Sequence, residues 1–299
     1  MPEYPDITIY IERLRYFVQG RTLQQVRLAN PFVLRTVDPP INSIQNKEVL
    51  DLERLGKRIV FLFSDDLFLI MHLMVNGRLH WRDNGAKIPA KIGLAAFDFP
   101  NGTLILTEAG TKKRASMHLV KDYSELTKFN PGGLEILNAS LDEFHEVLVS
   151  ENHTLKRALT DPTQFSGIGN AYSDEILHQA KLSPVQLTQK MTHDQIEQLY
   201  DAIQQTLLEW TDRLRKETGE GFPQNVTAFH REMTVHGRYG KPCPECGTTV
   251  QRIRYAANET NYCPNCQTGG KLLADRALSR LLKKDWPKSM EELEEKLKI

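Results

Sequence analysis

Two cysteine pairs, Cys243-Pro-Glu-Cys246 and Cys263-Pro-Asn-Cys266, stand sixteen residues apart and hold all four cysteines of the chain. Two such pairs around a stretch long enough for a hairpin put four thiolates on one tetrahedral Zn²⁺. A closed four-cysteine site leaves no open ligand position. The metal is therefore expected to be structural, one ion, contributing about 10–16 kcal/mol to folding a ribbon with little core of its own, with a catalytic zinc or an iron–sulfur cluster as the lesser alternative.

A second chemical candidate is the amino terminus, Met1-Pro2-Glu3. Removal of Met1 would leave Pro2 as a terminal secondary amine. An α-amino group is roughly a third neutral near pH 7.5, against about a thousandth for a lysine, so it is the better nucleophile. Attack on an aldehyde-like carbon would give an iminium, with Glu3 adjacent as acid or base. The bland alternative is a proline that merely stiffens a frayed end.

A third candidate is Gly167-Ile-Gly169-Asn170, which precedes Ile176, Leu177 and Ala180 at helical spacing. A glycine turn feeding a helix start offers free N–H groups and a positive dipole end to an anion. Neither nucleotide-binding glycine fingerprint is matched, which leaves the backbone phosphate of a polymer, or an ordinary turn capped by Asn170.

Several elements must position these groups. Ile7, Ile11, Leu14 and Val18 predict an amphipathic helix over 6–18, stopped by Gly20. Strands are expected at 58–63, 67–73, 94–99 and 103–107, with Ser64-Asp65-Asp66 and Asn101-Gly102 as turns. This region reads as a β-sandwich or barrel with the first helix against it. Cations gather at Arg54, Lys57 and Arg58, at a hairpin-like corner of His72 with Asn76, Gly77 and Arg78, and at Lys112-Lys113-Arg114. Each is a polyanion contact or a solvated cluster. Asn130-Pro-Gly-Gly133 breaks all periodicity, and helices follow at 141–149, 154–160, 170–180 and 192–216, the last opened by a Thr192/Gln195 capping box. A loop at 219–224 leads to a strand-like stretch. A helix over 271–284 and a short acidic one from Ser289 close the chain.

With 299 residues and zero net charge, two domains are expected, and any nucleic-acid surface must be local. No apolar run is long enough to span a bilayer, no basic secretory start is present, and the cysteines argue against a disulfide framework. An intracellular, cytoplasmic protein is expected, nucleoid-associated if bacterial, with no membrane partner and a monomeric state.

Taken in order, Pro2-Glu3, Gly56-Lys57, Gly167-Ile-Gly-Asn170 with Tyr172 and Glu175, and Val235-His-Gly-Arg-Tyr-Gly-Lys-Pro-Cys243 resemble the formamidopyrimidine-DNA glycosylase and endonuclease VIII family of base-excision repair enzymes. The resemblance implies an α+β fold: an N-terminal β-sandwich with a helix (2–128), a linker (129–134), a helix-two-turn-helix module (135–225), a zinc ribbon (226–270) and a helical extension (271–299). It implies a bifunctional glycosylase and abasic-site lyase on damaged duplex DNA, excising an oxidised or ring-opened base. Pro2 would attack the sugar C1′, Glu3 would assist ring opening, and Lys57 would complete the catalytic group. His72, Lys156, Asn170, Arg252 and Arg254 would contact DNA around a flipped-out lesion, which flipping makes reachable.

Three positions depart from the family pattern. Asn258 stands where the finger carries an arginine, the loop from Gly110 to Ser116 lacks an aromatic wedge, and Val75, beside Met74, replaces an intercalating methionine. They motivate a second reading, a binder of abasic or single-stranded DNA with weak or no excision. A third is a zinc-ribbon protein with other partners and an idle terminus.

Overall fold

A computed structural model describes residues 1–224, 226, 228–255, 258–274 and 285–297. The chain divides into two contact units, residues 1–132 with 209–228, and residues 133–208 with 229–299.

The first unit opens with α1 (Tyr4–Val18) and continues into eight strands, β1 (Gln25–Leu28), β2 (Val49–Leu55), β3 (Arg58–Phe63), β4 (Leu67–His72), β5 (Gly77–Arg82), β6 (Gly93–Phe99), β7 (Gly102–Glu108) and β8 (Ser116–Lys121), followed by the short α2 (Tyr123–Thr127). They form two four-stranded antiparallel sheets, ordered β1-β6-β7-β5 and β2-β3-β4-β8. The core between them takes Phe61, Phe63, Leu69 and Met71 from one sheet and Leu79, Phe97, Phe99, Leu104 and Leu106 from the other, with Ile7, Tyr10 and Leu14 of α1. Full burial of each such side chain contributes about 1.5–3 kcal/mol. Strands β3 and β4 are apolar on both faces because their outer face is covered as well. Val60, Phe68 and Ile70 pack there with Val120 and with Leu126 of α2.

The expected loop Ser64–Asp66 joins β3 to β4, with Asp65 and Asp66 both at positive φ. The loop between β6 and β7 lies one residue earlier than expected. Phe99 pairs with Gly102, so Pro100-Asn101 makes the turn and Gly102 belongs to the strand. That glycine is needed for space: a Cβ there would lie 2.4 Å from the Trp81 ring. The His72-to-Arg78 corner is likewise no hairpin. It joins β4 to β5, which lie in different sheets, so the chain crosses the sandwich there. The basic loop 112–114, between β7 and β8, is the other such crossing after β4.

The second unit holds α3 (Leu141–Ser150), α4 (Leu155–Thr160), α5 (Asn170–Gln179) and the start of α6 (His193–Thr218), whose last turns belong to the first unit. Ser140 and Glu143 cap α3 reciprocally, and Phe144 packs against Phe165 and Tyr200 at ring distances of 5.3 and 5.7 Å. The Thr192/Gln195 box forms at the start of α6, with backbone-to-side-chain bonds of 3.2 and 3.3 Å. Beyond the loop at 219–224 no strand forms among the described residues until β9 (Gln251–Tyr255), which pairs with β10 (Asn258–Tyr262) and leads into α7 (Pro264–Thr268). Residues 271–274 are not helical, and Lys271 instead bridges to Ser289. The rest of the helix expected to residue 284 lies outside the described residues. The acidic helix α8 (Met290–Leu297) forms, with the Glu292 N–H donating to Ser289 Oγ. Among the described residues no helix is long and apolar enough to cross a membrane.

Candidate nucleic-acid site and zinc finger

In the first unit the chemistry collects at the start of α1. Pro2 and Glu3 are buried, and the Glu3 N–H donates to the buried carboxylate of Asp6 at 2.8 Å. Burial lowers the pKa of the Met1 ammonium that precedes Pro2, with Arg78 and Lys57 adding to the effect and Glu3 and Asp6 opposing it. An amine at this end of the chain is thus held more neutral than in water, the direction a nucleophile needs. Lys57 sits in the two-residue β2–β3 loop, whose first position requires a positive φ that Gly56 supplies at 61°. Arg54 ties that loop to the helix start: its guanidinium donates to the Gly56 carbonyl at 2.9 Å and lies 4.5 Å above the Tyr4 ring.

His72, at the end of β4, pairs across the ladder with Arg58 and Ser116. Burial, reinforced by Arg58, Lys57 and His118, lowers its pKa to about 4. At neutral pH it is an uncharged imidazole, able to hydrogen-bond an anion without neutralising it. Asp6 moves the other way. Burial raises its pKa to about 7 against the opposing hydrogen bond from Glu3.

Their signs differ in a melting experiment. The Asp6 contribution is fully present below about pH 3.8 and is lost as pH rises through about 7. The His72 contribution is present above 6.5 and is lost as pH falls through about 4. Asp6→Asn is expected to melt higher than the parent above pH 7, with the gap closing towards pH 4. A constant gap across that range would refute the assignment.

A cavity of about 390 Å³ borders Asp6 in this same unit, walled by Ile9, Leu214, Phe222 and Val226. Its loop is pinned to α1: Arg13 donates to the Gly221 carbonyl at 2.7 Å, and Phe222 packs 5.8 Å from Tyr10.

In the second unit Asn170 is not the cap of α5. Gly169 takes that place, and the Asn170 amide donates at 2.9 Å to the Glu259 carbonyl of the finger hairpin. Lys156 uses its three N–H bonds within the unit, on the Asn170 carbonyl (2.6 Å), Ser173 Oγ (2.8 Å) and the buried Asp174 carboxylate. The other Asp174 oxygen receives His236 Nδ1 at 2.7 Å and the Asn261 N–H at 3.1 Å. Glu175 accepts the N–H groups of Thr234, Val235 and His236 at 2.7, 2.9 and 2.9 Å. Arg252 and Arg254 extend from β9 towards one carboxylate, Glu259, at 3.2 and 3.4 Å, and Arg252 also lies 4.0 Å over the Tyr239 ring. The side chain of Asn258 lies outside the described residues.

Cysteines 243, 246, 263 and 266 converge. Cys246 and Cys263 sulfurs are 3.4 Å apart, and the donor atoms of Cys243, Cys263 and Cys266 lie within 4.8 Å of one another. A tetrahedral ion with metal–sulfur bonds of about 2.3 Å places its donors about 3.8 Å apart, so these residues fit Zn²⁺.

Family models match in the same order along the chain: the formamidopyrimidine-DNA glycosylase N-terminal domain over residues 1–114, its H2TH domain over 135–217, and the zinc finger found in FPG and IleRS over 240–269. An uncharacterized formamidopyrimidine-DNA glycosylase-like protein of Mycobacterium tuberculosis is 42% identical over half of this chain and 94% of its own length. The chain belongs to the formamidopyrimidine-DNA glycosylase and endonuclease VIII family. A formamidopyrimidine-DNA glycosylase of Lactobacillus johnsonii is 29% identical over 89% of this chain and 99% of its own. The structure of Lactococcus lactis Fpg with abasic-site DNA superposes with a TM-score of 0.79 at 25% identity, covering 89% of this chain and 99% of that one. The resemblance and the fold class read from the sequence both hold, including the family's β-sandwich, H2TH module and four-cysteine finger.

Sequence reasoning missed Asp6, Asp174 and Asn261 as buried hydrogen-bonding partners, and it quoted His236 only within the run from Val235 to Cys243. Asp6 was within reach of it, three residues after Glu3 at a helix start. No local signal marks Asp174 or Asn261, which meet His236 only in the folded unit.

Proposed function

We propose that this protein is a bifunctional DNA glycosylase and abasic-site lyase acting on oxidised or ring-opened bases in duplex DNA. The observation that carries the reading is the buried Pro2-Glu3 start of α1, where the Glu3 N–H donates to the buried Asp6 carboxylate at 2.8 Å. With Met1 removed, the Pro2 nitrogen attacks C1′ of the damaged nucleotide and the base departs. Glu3 serves the accompanying ring opening, and elimination from the iminium cuts the strand. Asp6, with a pKa of about 7, is matched to proton exchange near neutrality. The cavity beside it falls in the size range of ligand sites and is the proposed receptacle for the extruded base.

The proposed DNA contacts are the neutral His72, the Asn170 amide, and Arg252 and Arg254. Lys156 acts mainly through the Asn170 carbonyl it holds. One structural Zn²⁺ on the four cysteines holds the finger. In domain terms, residues 2–128 carry the chemistry, 135–225 and 226–270 grip DNA, and 271–299 form an extension.

The test is incision of duplexes carrying a single abasic site, an oxidised purine or an oxidised pyrimidine, read on denaturing gels beside a salt titration of binding. Strand scission is expected, and log affinity is expected to fall with log salt by about 0.9 for each phosphate contact. Salt-sensitive binding without scission on any duplex would favour a lesion binder. Salt-insensitive binding would remove DNA as the partner.

A further inference from the structure

The cysteine cluster has a fifth neighbour. His178, on α5, is 1% exposed, and its Nε2 lies 3.4 Å from Cys243 Sγ. Its imidazole and the sulfurs of Cys243, Cys263 and Cys266 all lie within 4.8 Å of one another, a second tetrad of the dimensions a tetrahedral ion needs. The far side of the ring faces the Glu245 carboxylate, Nδ1 to Oε1 3.6 Å, and Glu245 is itself paired with Lys181. Ligating histidines are oriented by a hydrogen bond from their second ring nitrogen, and Glu245 is the carboxylate placed on that side of His178, at 3.6 Å still beyond hydrogen-bond length. By contrast Cys246 is the exposed member of the four cysteines.

We propose that the finger is a five-donor site in which the buried His178 completes a Cys₃His set with the buried Cys243 and Cys263 and the half-buried Cys266 whenever Cys246 is not coordinated. The proposal rests on the zinc reading above. It makes the ion's retention independent of its one exposed ligand, whereas loss of Cys243 or Cys263 would leave too few buried donors.

The experiment uses the full-length protein, Cys246→Ser and Cys246→Ser/His178→Phe, each titrated with Co²⁺. Sulfur-to-cobalt charge-transfer and d–d absorption report thiolate count and geometry. Cys246→Ser is expected to bind one Co²⁺ with tetrahedral d–d bands and charge-transfer intensity reduced to about three quarters, and adding His178→Phe to weaken Co²⁺ binding by at least about tenfold. X-ray absorption of zinc-loaded Cys246→Ser reads the ligand directly, without the double variant: imidazole scattering with three sulfurs is expected. Absence of an imidazole in that spectrum, or equal Co²⁺ affinity in the two variants, overturns the proposal while leaving the zinc site intact. Failure of the parent protein to bind Co²⁺ or Zn²⁺ overturns the zinc reading itself, and the proposal with it.

Discussion

Borohydride reduction of the protein on a duplex with one abasic site is expected to leave a covalent adduct that maps to Pro2. Intact mass on the same sample is expected to show loss of Met1. A variant that keeps one extra residue before Pro2, with that residue's own α-amine acetylated, has an amide at the Pro2 nitrogen and no terminal amine, and so cannot form an imine there. Trapping should then fall to whatever a nearby lysine supplies. Lys57 is the cation of the β2–β3 loop that acts on the terminus, but a lysine is only about a thousandth neutral near pH 7.4 where a terminal amine is about a third neutral. The expected loss is therefore about 300-fold in adduct formation. Undiminished trapping by the extended protein would move the nucleophile away from the terminus. An untrapped protein with a free Pro2 would leave only the binding reading.

Replacement of Glu175 is expected to be the most damaging change in the second unit. Its carboxylate is 5% exposed and receives three consecutive N–H groups from the segment that enters the finger. Glu175→Ala strands three donors, at about 1–3 kcal/mol each, so a loss of roughly 3 kcal/mol or more is expected. Glu175→Gln keeps one acceptor oxygen and should fall between. Urea unfolding gives the size of the effect, and amide hydrogen exchange gives its place. Protection should vanish first at Thr234, Val235 and His236. Unchanged exchange at these three amides would show that the carboxylate does not hold them.

How far the sequence could be read depended on how local each signal was. The cysteine pairs, the Thr192/Gln195 box, α1 and the apolar runs of β3, β4, β6 and β7 are written in neighbouring residues. Strand β2 reads Val-Leu-Asp-Leu-Glu-Arg-Leu, with Asp51 and Glu53 turned outward. Its charges kept it out of the strands read from the sequence. The same holds for β5, where Arg78, His80 and Arg82 alternate with Leu79 and Trp81. That alternation marks a half-buried strand and was open to reading. Gly102 misled because glycine next to asparagine usually signals a turn, whereas here it makes room for Trp81. In the site, Pro2, Glu3 and the cysteines stood out as candidates from residue type and spacing, but Asp174 is satisfied by partners up to 87 residues away. No window of sequence contains such a contact.

Helix α5 bears on how parts of this protein could be exchanged with those of its relatives. Asn170, Asp174, Glu175 and His178 follow one another along it, and all are tied to the region from Thr234 to Asn261, Asp174 and Glu175 meeting at His236. A finger transplanted alone would arrive without its acceptors and leave two buried carboxylates behind. The heritable unit is the helix with the finger, and chimeras that move both together should fold where those that split them fail.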